Sequence, residues 1–124
     1  MSGNMTPEEL LDVAKQLMTR RRPSMRRSWQ RGCACLIRSA CEEALRAYWK
    51  HTAPSVGGRP MRHQLLALAT FADRKAATLA RTAWHGLSRA MHHHAYELPP
   101  TAAELESWHQ DVSELLSLLR PKRT

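Results

Sequence analysis

From Ala76 to Leu98 the chain repeats apolar residues at a single helical spacing. Ala76, Leu79, Ala80, Ala83, Trp84, Leu87, Met91 and Leu98 recur at i, i+3, i+4 and i+7, which fits an amphipathic helix buried along one side. On the opposite side lie Arg81, His85, Arg89, His92 and Tyr96, with Thr82 and His93 at its edge. One face is greasy, the other cationic and titratable. His94 breaks the division, because the same periodicity sets it in the apolar stripe between Leu87/Met91 and Leu98. Pro99-Pro100 stops the segment, since a proline disfavours the α region for the residue before it. The spacing therefore predicts a helix over about Arg74–Leu98.

The rest of the chain reads as helical too. Val13, Val56, Val112 and Ile37 are the only Val and Ile in 124 residues, and no segment alternates with period two, so a sheet is excluded. Thr6-Pro7-Glu8-Glu9 places Thr at an N-cap, Pro at the first helical position and Glu where a capping box needs it. The first helix runs to about Arg20, burying Leu10, Leu11, Ala14, Leu17 and Met18. A long second helix, about Met25–His51, carries Trp29, Cys33, Leu36, Ile37, Ala40, Cys41, Ala44, Leu45 and Tyr48 on one stripe. Thr52–Pro60 reads as a loop from its Pro, Gly and Ser content. A short third helix, about Met61–Ala72, is expected to bury Leu65, Leu66, Leu68 and Phe71. Thr101 and Glu104 make a second capping box ahead of a last helix, about Ala102–Leu119, with Leu105, Trp108, Val112, Leu115, Leu116, Leu118 and Leu119 inward. The expected architecture is all-α: one domain, an antiparallel bundle of four to five helices, with its core over about residues 7–119 and a basic tail at 120–124. The four tryptophans fall in or beside apolar stripes and read as core.

Charge narrows the partners. Nineteen Lys and Arg against 11 acids give a net charge of +8 and a pI near 10.3. A surplus of this size favours a polyanion, because each phosphate contacted releases counterions. The charge is unevenly spread: Arg20–His94 holds fifteen basic and three acidic residues, whereas Ala95–Leu119 holds five acids and no Lys or Arg. The densest cationic stretch is R-R-R-P-S-M-R-R-S-W-Q-R, which makes Arg20, Arg21, Arg22, Arg26 and Arg27 candidate phosphate contacts. The alternative is that these arginines decorate a solvated helix end, where the C-terminal dipole favours cations. Cys33, Cys35 and Cys41 match no zinc or C-x-x-C spacing and read as reduced structural thiols. No apolar run approaches membrane length, and the first residues lack a signal-type apolar segment, so a cytoplasmic protein with no membrane contact is expected.

Arg89-x-x-x-x-His94 matches an R-x(4–6)-H pattern. It lies in the block W-H-x-L-S-R-x-x-H-H-H-A-Y-E-L-x-P-T-x-x-E-L (Trp84–Leu105), preceded by W-x-x-G-C-x-C-L-x-R-x-A-x-E-x-A-L (Trp29–Leu45). Together these resemble small stand-alone bacterial proteins of the HEPN superfamily, over about Trp29 to Ser117. The resemblance implies a homodimer whose Arg/His pairs face each other and cut single-stranded RNA without metal or cofactor. It makes Arg89 the phosphate-binding residue and His94 the general base or acid; His85 and His92, on the Arg89 face of the helix, are candidate substrate contacts. On an ideal helix Arg89 and His94 point about 140° apart, while His93 at i+4 shares the Arg89 face, so His93 stands as the alternative base. Consecutive helical residues diverge by about 100°, so His92-His93-His94 cannot converge on one metal ion. The function expected is an endoribonuclease, as a toxin or defence factor with an acidic antitoxin or other protein partner. The rival readings are a catalytically inactive HEPN-like module that binds nucleic acid or protein, and a plain dimerising helical protein whose basic face meets an acidic partner.

Overall fold

In the computed structural model, which describes residues 5–20, 28–91 and 98–120, both Thr-x-x-Glu sequences start helices. Thr6 Oγ1 accepts from the Glu9 N–H at 3.1 Å, and the Glu9 carboxylate accepts from the Thr6 N–H at 2.8 Å. The box opens α1, Pro7–Thr19, and its hydrogen bonds hold the Glu9 carboxyl below its usual pKa. Thr101 and Glu104 repeat the arrangement at 3.1 and 2.9 Å and open the last helix, Ala102–Leu119. Between them lie α2 (Ser28–Thr52), α3 (Pro54–Gly57), α4 (Met61–Phe71) and α5 (Arg74–Met91), making the last helix α6.

The chain is an all-α bundle organised on α2, which packs against α1, α5 and α6, while α4 packs on α5. Its stripe is the one the sequence predicts: Cys33, Ile37, Ala40, Cys41 and Leu45 have no exposed surface. They meet Ala14 from α1, Ala76, Ala80, Ala83 and Leu87 from α5, and Leu105, Val112 and Leu115 from α6 in one core. The small alanines let α5 lie close to its neighbours. Trp49, also fully buried, sits edge-on to Tyr48 and Phe71 with ring centres 5.1 and 5.5 Å away, an arrangement aromatic quadrupoles favour. Polar ties also cross the bundle. The His109 Nε2–H donates to the Leu11 carbonyl at 2.9 Å, joining α6 to α1, and the Tyr48 hydroxyl donates to the Phe71 carbonyl at 2.8 Å.

Five expectations need correction. The expected loop Thr52–Pro60 contains the one-turn α3, so the described residues form six helices and not four or five; Pro54, at its first position, presets the φ angle a turn needs. Leu66 and Phe71 are exposed, at 66% and 47%, because α4 buries only the strip through Leu65 and Leu68. Leu118 is exposed as well, one residue round α6 from the buried Leu119. Leu98, 90% exposed, lies outside the helices and not on the α5 stripe. Trp84 and Trp108 are half-buried at the edge of the core, unlike Trp29 and Trp49. Among the described residues no helix is long and apolar enough to cross a membrane.

Candidate functional site

Helix α5 carries its two faces as the periodicity requires. Ala76, Ala80, Ala83 and Leu87 are fully buried, and Arg81, His85 and Arg89 stand exposed on the other side. Burial of the inner face fixes the outer one, so His85 and Arg89, one turn apart, project from a rigid support. Arg89 occupies the last turn of α5, where the helix dipole favours a cation.

His85 and Arg89 line a groove of about 610 Å³, which also takes Arg31 from the first turns of α2 and Trp108 and Glu104 from α6; Pro99 and Pro100 form part of its wall. Arg31 Nε is shielded from solvent and has no hydrogen-bond partner among the described residues. Glu104, the one acid lining the groove among the described residues, is engaged by its capping box and accepts from the Thr101 backbone N–H. The Trp108 indole lies across Gly86: a Cβ placed there would sit 2.5 Å from Trp108 Nε1 and 2.7 Å from its Cε2. Only a residue without a side chain allows the indole that close to the α5 backbone.

A second arginine of α2 reaches the same helix. The Arg38 guanidinium carbon stands 4.3 Å above the Trp84 ring centre, a cation–π arrangement, and its Nη1 is 3.4 Å from the Met91 sulfur. Arg38 Nε is buried with no partner, as is the Ser88 hydroxyl. Arg38 therefore brings positive charge to the C-terminal end of α5 with no acid to offset it among the described residues.

The ion pairs show where the acids go. Glu106 pairs with Lys15 at 3.3 Å, Glu114 with Lys75, Glu8 with Arg120 at 3.3 Å and Glu43 with Arg46 at 3.4 Å. All four are solvent-exposed and each is worth about 0–1 kcal/mol. Their placement matters more than their strength. The acidic α6 neutralises α1 and the start of α5, and none of these pairs involves Arg31, Arg38, Arg81 or Arg89.

Of the sequence-predicted site residues, the structure brings Arg89 and His85 together in one groove. Arg20 is exposed at the end of α1 and does not line it. Arg21, Arg22, Arg26, Arg27, His92, His93 and His94 lie outside the described residues. Among the described residues no three His, Cys, Asp or Glu side chains gather where they could hold a metal ion. Arg38, Gly86 and Trp108 are additions the sequence did not single out for the site; the lone glycine inside a helical pattern was the available signal of a close approach. No protein-family model, no curated protein and no solved structure matches this chain.

Proposed function

We propose that this chain is a HEPN-like endoribonuclease that cuts single-stranded RNA without a metal ion, acting as a homodimer in the cytoplasm. The observation that carries the reading is the groove in which His85, Arg89 and Arg31 meet, where Glu104, the one lining acid among the described residues, is already engaged. Such a site suits a phosphodiester. Arg89 holds the phosphate and the charge that builds on it, a role worth roughly 10²–10³ in rate for one well-placed donor. A histidine of the 92–94 run, His94 first and His93 second, takes the proton from the ribose 2′-OH. The 2′-oxygen then bonds to phosphorus, the bond from phosphorus to the 5′-oxygen breaks, and a protonated histidine returns a proton to that oxygen. The requirement for a 2′-OH makes the substrate RNA and not DNA. A small basic nuclease of this kind fits a toxin or defence factor, and the same unneutralised face suits an acidic antitoxin.

A second reading is favoured by Ala90. It follows Arg89 and lines the groove, yet brings no polar group to the phosphate, and this supports an inactive HEPN-like module that binds RNA or a protein. The discriminating experiment is cleavage of labelled single-stranded RNA in EDTA by wild type, Arg89→Ala, His94→Ala and His93→Ala, prepared identically. Cleavage lost in Arg89→Ala and in one histidine variant is the expected result. Cleavage by none of the proteins, or equally by all, refutes the nuclease and leaves the binding module.

A further inference from the structure

Arg31 and Trp108 reach the Arg89 groove from two different helices, Trp108 with one side packed against the edge of the core. Arg31 sits on α2, one residue before Gly32 and two before the fully buried Cys33, so its backbone is held while its side chain lines the groove. Its solvent-shielded Nε has no acceptor among the described residues. A guanidinium presents a planar fork of donors matched to two oxygens of one phosphate. Trp108 has a different character. Its indole is seated on Gly86, one turn before Arg89 and Ala90 on the same side of α5, and is half-buried as it lines the groove. An aromatic ring fixed in this way offers a flat, pre-positioned surface beside the phosphate-binding arginines.

We propose that the groove is a one-nucleotide subsite, in which Arg31 and Arg89 grip a backbone phosphate and the Trp108 indole stacks the base next to it. The inference rests on the reading that the partner is single-stranded RNA, but not on its being cut. Stacking tolerates any base, since every base has a π-face, so the subsite selects unpaired strands over duplexes, whose bases are already stacked.

The test is binding of a short 5′-labelled oligouridylate carrying 2′-fluorine, which cannot be cleaved through a 2′-OH, measured by fluorescence anisotropy over a salt series in EDTA. Arg31→Ala is expected to weaken binding roughly tenfold and to lower the salt slope by about 0.7, the value for one phosphate contact on a single strand. Trp108→Leu is expected to weaken it roughly 5- to 150-fold with the slope unchanged. Tryptophan emission provides a readout that survives if Trp108→Leu does not fold: the oligonucleotide quenches wild type, and Trp108→Phe removes part of that quench while preserving affinity. Arg62→Ala, an exposed arginine on α4 away from the groove, is the control and leaves binding unchanged. Equal loss in Arg62→Ala and Arg31→Ala, or a quench identical in wild type and Trp108→Phe, overturns the subsite. The two proposals fail separately. Groove-dependent binding with no cleavage by any protein supports the subsite and refutes the nuclease; Arg89-dependent cleavage with Arg31→Ala and Trp108→Leu both binding as wild type does the reverse.

Discussion

Replacing Gly86 with alanine sets two effects of known size against each other. Gly86 is inside α5, where alanine is the better helix former by about 0.8–1 kcal/mol. Against that, the new methyl would stand 2.5, 2.7 and 2.9 Å from Nε1, Cε2 and Cζ2 of Trp108. These atoms belong to one rigid bicycle, so no terminal group can rotate away and the whole indole must shift, which costs typically 1–3 kcal/mol. The clash wins, and Gly86→Ala is expected to destabilise by about 1 kcal/mol. Gly32 supplies the internal control. It too is inside a helix, α2, but the nearest atom to an added methyl is Leu17 Cδ1 at 4.0 Å, an ordinary contact. Gly32→Ala is therefore expected to stabilise by about 0.5–1 kcal/mol.

The assay is urea unfolding at one fixed protein concentration, where the two variants move the midpoint in opposite directions at constant m. In a thermal melt each kcal/mol corresponds to about 3–5 °C for a chain of this size. A second measurement isolates the contact: in a Trp108→Leu background the penalty of Gly86→Ala disappears and the helix-propensity gain shows instead, a coupling on the order of 1–3 kcal/mol. If Gly86→Ala stabilises wild type as much as Gly32→Ala does, Trp108 does not rest on Gly86. The proposed stacking surface would then lose its support.

Two further outcomes follow from the caps and the thiols. Thr101→Ala removes the acceptor for the Glu104 N–H and is expected to cost about 1 kcal/mol, with Thr101→Ser restoring most of it; equal urea midpoints for wild type and Thr101→Ala would refute the cap. Burial pushes the Cys33 and Cys41 thiols up to about 11 and about 12, whereas Cys35 is exposed, so a thiol reagent should modify one cysteine in the native protein and all three only in denaturant. Because the raised pKa values make the folded state hold its thiol protons more tightly, their contribution is complete below the unfolded thiol pKa near ~8.5 and is lost as pH rises toward 11–12, by about 1.4 kcal/mol per pH unit for each thiol. Cys41→Ala should lessen that alkaline loss; an identical pH dependence of the urea midpoint in variant and wild type would contradict it.

What the sequence makes legible is what a few neighbouring residues decide. Thr6 and Thr101 mark helix starts because a capping box is closed within four residues. The α2 and α5 stripes follow from a spacing that burial on one side imposes. The errors arise where a local rule is carried too far. Extending the α5 periodicity as far as Leu98 takes in the very residue that Pro99 keeps out of the α region, and Leu98 is accordingly non-helical and exposed. Counting Leu66 as buried ignores that it points about 100° from Leu65 on a helix with one contact strip. The site divides in the same way. His85 and Arg89 are readable because they share one helix face. Arg31 is visible only as one more charge in a basic run, and Trp108 only as one more aromatic, since their joint placement depends on α2 and α6 being brought to α5 by the core.

The charge pattern supports a localised site more strongly than the net charge does. A surplus of +8 would be compatible with a diffuse cationic surface, for which any polyanion serves and no residue matters more than another. The pairing found among the described residues is not diffuse. Glu106 and Glu114 of α6 are taken by Lys15 and Lys75, whose ammonium groups are compact and strongly hydrated. The groove retains Arg31 and Arg89, and Arg38 lies one helix face away, none of them in an ion pair. Arginine is the side chain whose planar fork matches a phosphate and whose face stacks on aromatic rings, and Arg38 over Trp84 already does the latter. A surface selected for solubility alone has no need to gather arginines without ion pairs along one helix. Recognition of a single phosphate with a base beside it does.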